Sequence, residues 1–217
     1  MKSKEYLSIK SFKEAKFSVV KNIITPDMAK FLYEYVKLKA TSVSFKKEVE
    51  PQYWDQDWDG HFTCEQCPNT FSHYGDPVMD TLGMKLLSEV SRYTGEDLCY
   101  TYSYYRFYQK GDVLKKHTDR KSCDISATVY LGSDTSNLDY PYSWPFFVKH
   151  KKEDLEIHLN PGDIVLYRGC DLPHWRNECE CLNHGQVFLH YNKNGEDALF
   201  HDGRVMLGVP KRFQRSN

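Results

Sequence analysis

The sequence has almost no excess of either charge: 29 Lys and Arg stand against 30 Asp and Glu in 217 residues, a formal net charge of −1. Binding to a polyanion calls for a clustered basic footprint, so neither nucleic acid nor an anionic membrane is an expected partner. No apolar run approaches the roughly 18 residues that a membrane-spanning helix requires. The opening Met1-Lys-Ser-Lys-Glu-Tyr-Leu7 also lacks the apolar centre of a secretory signal. These absences make a soluble, cytoplasmic protein the expectation. Internal repeats, low-complexity tracts and linker-like stretches are missing too, which leaves one domain over 1–217, long enough to bury a substantial core. Seven cysteines, an odd number, argue against a complete disulfide framework and fit a reducing compartment. Nothing in the sequence sets an oligomeric state.

What the sequence does have is aromatic: 15% of its residues are Phe, Trp or Tyr, a content that suits a tightly packed β-rich interior with ring-lined pockets. Phe17–Val20 reads as a short strand. Thr25 then caps a helix with Pro26 at its first position and an apolar stripe of Met28, Phe31, Leu32, Tyr35 and Val36. A second helix starts after Asp76 with Pro77, carries Met79, Leu82, Leu86, Val90 and Tyr93 at helical spacing, and stops at Gly95. Both helices are expected against the outside of a sheet. From about Lys46 to Gly75 no period is evident, and the stretch reads as a long loop. Its rings, Tyr53, Trp54, Trp58, His61 and Phe62, suit a lid that Asp55, Asp57 and Asp59 keep solvated when open, and equally a static surface loop whose aromatics plug the outside of the barrel. From Leu98 to about Tyr191 strands alternate with short turns. Cys64 and Cys67 could join Cys179 and Cys181 in a four-thiolate zinc site, although CxxC plus CxC is a weaker signature than two CxxC knuckles. Cys99, Cys123 and Cys170 read as buried small hydrophobes.

The chemistry concentrates at His117-Thr118-Asp119 and His174. Side chains two apart in an extended segment point to the same side, so His117 and Asp119 can reach one metal. His174, just past the turn Asn160-Pro161-Gly162-Asp163 and the run Ile164-Val165-Leu166-Tyr167, supplies a third ligand from another strand. Two imidazoles and one carboxylate on one face leave about three octahedral positions open, the arrangement with which non-haem Fe(II) oxygenases hold a chelating co-substrate and dioxygen together. A His-x-Asp tripeptide alone arises readily by accident in a chain with nine histidines, so its surroundings decide the reading.

Those surroundings are the stretch from Tyr102 through Arg106, Tyr108 and Gly111 to His117 and Asp119, then Cys123 to Gly132, then Pro161-Gly162-Asp163 to His174 and Arg176. Together they resemble the Fe(II)/2-oxoglutarate-dependent dioxygenases of the prolyl-hydroxylase type. The resemblance implies an α+β, mainly β fold, a double-stranded β-helix or jelly roll with flanking N-terminal helices, with the three ligands at its mouth. It also implies that Fe(II), 2-oxoglutarate and O2 take part, leaves a role for ascorbate open, and makes hydroxylation of a C–H bond with release of succinate and CO2 the expected reaction. The substrate would be a small molecule, an amino acid, a peptide or a protein side chain.

By the same resemblance Tyr108 and Tyr130 face the co-substrate. Tyr102, Tyr104, Arg106 and Tyr108 share one face of their strand, and an inward guanidinium there needs an anion or several acceptors. The sequence departs from the family pattern after His174, where many members carry an Arg or Lys for the distal carboxylate. Asn183-His184-Gly185-Gln186-Val187-Phe188-Leu189-His190 has neither; Gln186 and His190 offer hydrogen bonds, and the clamp must come from Arg106 or Arg176. Lys116 and Arg120 read as solvated charges. Two other functions stay in view: a metal- or ligand-binding jelly roll without turnover, which would not convert 2-oxoglutarate to succinate, and a nucleic-acid demethylase, which neutral charge and the lack of paired arginines after His174 disfavour.

Overall fold

The computed structural model describes residues 9–214, so the N-terminal segment read above for a signal lies outside the described residues. The chain is mainly β, with two antiparallel sheets and a layer of helices on one of them. A first helix, α1 (Ile9–Ala15), leads into β1 (Phe17–Val20), followed by the long α2 (Pro26–Val49), a short α3 (Gln56–Asp59), β2 (Phe71–Tyr74) and α4 (Pro77–Thr94). The strands β3 (Leu98–Gln109), β4 (Leu114–His117), β5 (Ile125–Asp134), β6 (Phe146–His150), β7 (Glu153–Ile157), β8 (Ile164–Tyr167), β9 (His174–Arg176) and β10 (Asn183–Lys193) complete the sheets. The larger runs β1-β8-β5-β10-β3-β2 and the smaller β4-β9-β6-β7.

Helix boundaries follow local chemistry. Thr25 accepts a hydrogen bond from the Met28 N–H, and the Asp76 carboxylate accepts from Val78 and Met79, each with proline at the first helical turn. Gly95 closes α4 at φ 71°, the left-handed region glycine enters without a Cβ penalty. Asp76 also accepts from the Tyr35 hydroxyl at 2.7 Å and pairs with Lys39 at 3.2 Å, so one carboxylate ties α2 to the start of α4.

Strand alternation divides the larger sheet. Tyr105, Phe107, Val129, Leu131, Val187 and Leu189 pack in one core with Leu32 and Val36 of α2 and Leu82, Leu86 and Val90 of α4. The alternate positions of β3, β5 and β10 turn away from the helices, as the parity of Tyr102, Tyr104 and Arg106 implied. Helices therefore cover one face of this sheet, and the other is free for chemistry.

Three expectations are corrected. The inner stripe of α2 is Ala29, Leu32, Tyr33, Val36, Ala40 and Val43; Phe31 is 69% exposed and Met28 also lies outward. Small residues at 29 and 40 let the helix sit close to the sheet, a choice the larger side chains obscured. The supposed loop from Lys46 to Gly75 begins inside α2, which ends only before Pro51, and contains α3 and β2. Cys170 is half-buried, its thiol directed to the Arg120 carbonyl at 3.1 Å, while Cys99 and Cys123 are buried as read.

Candidate metal centre and its pocket

β4 is the edge strand beside β9, and past a shift in their register between Leu114 and His117 it sets His117 directly opposite His174, with ring centroids 4.3 Å apart. Asp119 follows the end of β4, its N–H donating to the Gly169 carbonyl at 2.8 Å. One donor atom from each of the three side chains falls within 4.8 Å of the others. His174 Nε2 lies 3.5 Å and His117 Nε2 3.8 Å from Asp119 Oδ1.

The donor set fits a divalent metal for a reason beyond proximity. Nδ1 of His117 is 2.7 Å from the Lys115 carbonyl and Nδ1 of His174 is 2.9 Å from the Leu172 carbonyl. A carbonyl can only accept, so Nδ1 carries the proton on both rings and the Nε2 lone pairs are left toward Asp119. Burial, with His174 beside it, pushes His117 down to about 4, which keeps the imidazole neutral as a ligand must be. Burial alone would raise the Asp119 carboxyl, but the His174 and His190 rings beside it and the Ser126 hydroxyl, which donates to it at 2.5 Å, hold it well below the usual carboxylate range.

Asp119 also falls within 4.8 Å of Cys123 and His190 as a group. Burial and the Asp119 charge push the Cys123 thiol up to about 12, and a thiol that stays protonated is a poor ligand, so the two-histidine set is the better metal seat. His190 has a different part. Its Nδ1 is 3.1 Å from the Ser126 hydroxyl, and its ring lies 4.4 Å from that of Tyr102, so a His190–Ser126–Asp119 chain steadies the carboxylate.

The three ligands open on a cavity of about 520 Å³, lined also by Tyr102, Tyr104, Phe188 and His190, and by Arg106 with Cys64 and Gln66. The other expected co-substrate residues gather beside it. Tyr108 packs edge-on to Trp144 at 4.8 Å, and Tyr130 stacks on His184 at 4.6 Å. Arg176 is 1% exposed, donates from Nη1 to the Trp144 carbonyl and from Nη2 to Gln186 Oε1 at 3.1 Å, and leaves Nε without a partner. Gln186 in turn donates to Thr128 at 2.6 Å. The structure thus separates the two arginine candidates: Arg106 lines the open cavity, and Arg176 sits among Tyr108, Tyr130, His184 and Gln186.

Arg120 is corrected from a solvated charge. It donates to Asp202 at 2.6 Å, lies over the Tyr102 ring at 4.6 Å and lines the cavity. Lys116 keeps the bland reading, half-exposed over the Trp175 ring. Of the aromatic segment, His61 reaches the cavity, whereas Tyr53 and Trp58 are exposed and Phe62 packs on Phe71. Asp55 and Asp57 are engaged by Arg212 and Asp59 by Lys46. Cys179 and Cys181 face each other at 3.3 Å, and among the described residues the four thiols form no metal-holding group with Cys64 and Cys67.

Sequence reasoning missed three residues. A Cβ at Gly169 would fall 2.0 Å from Asp119 Oδ2 and 2.6 Å from Ser126 Oγ, so only glycine lets the carboxylate lie against that backbone. Ser126 was legible only as a strand residue. His184, given no role in the sequence reading, stacks on Tyr130 and holds a neutral ring against Arg176, burial and that guanidinium driving its pKa well down.

No family model and no curated protein matches the sequence. Solved structures do. A prolyl-4-hydroxylase from Pseudomonas putida superposes with a TM-score of 0.59 at 13% identity, covering 86% of this chain and 97% of that one. HygX from Streptomyces hygroscopicus, solved with nickel and 2-oxoglutarate bound, gives 0.57 at 15% identity over 89% of this chain and 88% of its own. EctD from S. alaskensis gives 0.60 at 18% over 89% and 79%. The chain has the fold of the prolyl-hydroxylase-like Fe(II)/2-oxoglutarate oxygenases. At these identities the likeness is one of fold, and the activity has to be argued from the residues.

Proposed function

We propose that the chain is a single-domain Fe(II)- and 2-oxoglutarate-dependent oxygenase that hydroxylates a C–H bond of a small molecule or a peptide side chain in the cytosol. The observation that carries the reading is the His117, Asp119 and His174 group, with both Nε2 atoms presented to one carboxylate beside a ring-lined cavity. The strand orders β3-β10-β5-β8 and β4-β9-β6-β7 support the finer reading of the sheets as a double-stranded β-helix, the strands from β3 to β10 alternating between two sheets except at the β6–β7 hairpin. No helix among the described residues is long and apolar enough to cross a membrane.

In this reading His117, Asp119 and His174 hold Fe(II). Bound there with 2-oxoglutarate, the iron supplies dioxygen activation coupled to decarboxylation of the co-substrate to succinate and CO2. Arg176 is the residue we assign to the distal carboxylate of 2-oxoglutarate, with Tyr108, Tyr130 and Gln186 around it. A guanidinium removed from water and given only neutral acceptors carries an uncompensated charge costing several kcal/mol, which a carboxylate would offset. Gly169 and Ser126 orient Asp119, and His190 steadies Ser126. Tyr102, Tyr104 and Phe188 exclude water from the reacting face.

The test is succinate formation from 2-oxoglutarate by the full chain in air, with and without Fe(II). Iron-dependent succinate that His174→Ala abolishes is the expected result. No succinate from an iron-loaded chain, across a substrate panel, would favour a binding protein without turnover.

A further inference from the structure

Seven arginines lie among the described residues. Arg92, Arg120, Arg168, Arg204 and Arg212 each pair with a carboxylate, and Arg106 and Arg176 do not. Both of these are buried, yet only Arg106 lines the cavity that holds the metal ligands. It is 5% exposed, and none of its three polar contacts is a carboxylate: Nη1 donates to the Tyr108 hydroxyl at 3.3 Å, and Nη2 to Gln66 Oε1 at 2.7 Å and to the sulfur of Cys64 at 3.0 Å, a thiol whose pKa the guanidinium draws down. Its Nε is buried with no partner at all. The rings of Tyr104 and Phe188 lie 5.2 and 5.7 Å from the guanidinium carbon, giving it apolar flanks.

The remaining cavity cations are committed. Arg120 and Lys211 share the Asp202 carboxylate at 2.6 and 3.2 Å. A buried fork with one donor unsatisfied, walled by rings and facing a cavity of about 520 Å³, is a built seat for an oxyanion attached to an apolar body.

We infer that Arg106 is the specificity-determining residue for the substrate of this site and that the substrate carries a carboxylate on an apolar or aromatic body, the carboxylate held by Arg106 and the body lying along Tyr104 and Phe188. This deepens the oxygenase reading, on which it rests for the word substrate. Gln66 and Cys64, from the segment before β2, complete the seat, so that segment contributes recognition through these two side chains rather than through its exposed rings.

The experiment is a calorimetric titration of the full chain with 3-phenylpropionate and with 3-phenylpropionamide, which match in shape and differ in charge. It is run anaerobically with Fe(II) and 2-oxoglutarate added and again without them. Acid binding about tenfold or more tighter than amide binding is expected in both series, as charge-assisted hydrogen bonds to a desolvated guanidinium would give. Arg106→Gln should erase the preference, and Arg176→Gln should leave it intact. Arg106→Lys, which keeps the charge should the Gln variant fail to fold, should weaken acid binding about threefold to tenfold and leave amide binding unchanged. Equal binding of acid and amide by the wild type overturns the assignment. So does a preference that survives Arg106→Gln, or one lost in Arg176→Gln. An Arg106→Gln chain with weakened 2-oxoglutarate affinity and an unchanged acid preference would give Arg106 to the co-substrate instead. Because the series without iron reads the seat directly, a failure of the oxygenase reading leaves the acid preference in place, and a failure of the seat leaves succinate formation in place.

Discussion

Arg204 in the C-terminal segment and Arg176 on β9 are both wholly buried, and they keep a guanidinium out of water in opposite ways. Arg204 donates to Asp80 at 2.9 Å and to the carbonyls of His201, Val209 and Thr101. Asp80 in turn accepts from Tyr100, from the N–H and hydroxyl of Ser103, and from Gly208. That network is closed: charge meets charge, and it latches the segment after β10 to α4 and β3. Arg176 has a carbonyl, an amide oxygen and two aromatic faces, but no carboxylate and an idle Nε. The difference separates an arginine paired with a carboxylate from one without, the one to which we assign the co-substrate anion, and burial alone does not tell them apart.

The comparison breaks most visibly at Asp80. Asp80→Asn leaves Arg204 buried against a neutral side chain and should cost about 3–5 kcal/mol, as removing one partner of a buried pair does. Urea unfolding measures this, and a loss below about 1 kcal/mol would put Arg204 in the same class as Arg176. Arg176→Met should behave oppositely, with stability unchanged or raised by about 1 kcal/mol and 2-oxoglutarate affinity lowered by about two to three orders of magnitude. Equal loss of stability in both variants would erase the distinction.

Two smaller effects sharpen it. Gly169→Ala pushes Asp119 off the backbone it lies against, and iron affinity should fall about 10–100-fold while the fold persists; a competitive chelator titration reads it. The histidines around the site set a pH dependence. His117 and His190 are pushed down to about 4, chiefly by burial, and His184 is driven well down by burial and Arg176. Since the unfolded imidazoles titrate near 6.5, the unfolded chain binds more protons than the folded one between about 6.5 and 4, and stability falls as pH drops through that window. At pH 5.5 the metal-free chain should be less stable than at pH 7.5 by about 1 kcal/mol for each such histidine. Coincident urea midpoints would show that these rings are not held neutral.

Sequence made legible what depends on period and spacing. Parity along β3 places Arg106 on the cavity side, Pro26 and Pro77 mark helix starts, and His-x-Asp with a distant His points to three side chains that the fold gathers within reach of one ion. What stayed hidden depends on contacts between distant segments. Gly169 matters through one carboxylate oxygen fifty residues away in sequence, and Ser126, only seven residues from Asp119, through a turn that folds β5 back onto it; neither leaves a local pattern. The difference between Arg106 and Arg176 has no signal in the sequence because both carry the right parity beside the right motif, and only their side-chain contacts set Arg106 against Cys64 and Gln66 at the cavity and Arg176 against the Trp144 carbonyl and Gln186. The inner face of α2 was misread because Ala29 and Ala40 bury as firmly as leucine while signalling little.

The central claim is that His117, Asp119 and His174 form one iron seat with Arg176 as the anchor for its co-substrate. An anaerobic titration of Fe(II) into the full chain, followed by 2-oxoglutarate, tests it directly. One iron per chain is expected for the wild type and for Arg176→Gln, with iron binding lost in Asp119→Ala and 2-oxoglutarate binding lost in Arg176→Gln. Iron binding that survives Asp119→Ala, or 2-oxoglutarate binding that survives Arg176→Gln, would contradict it.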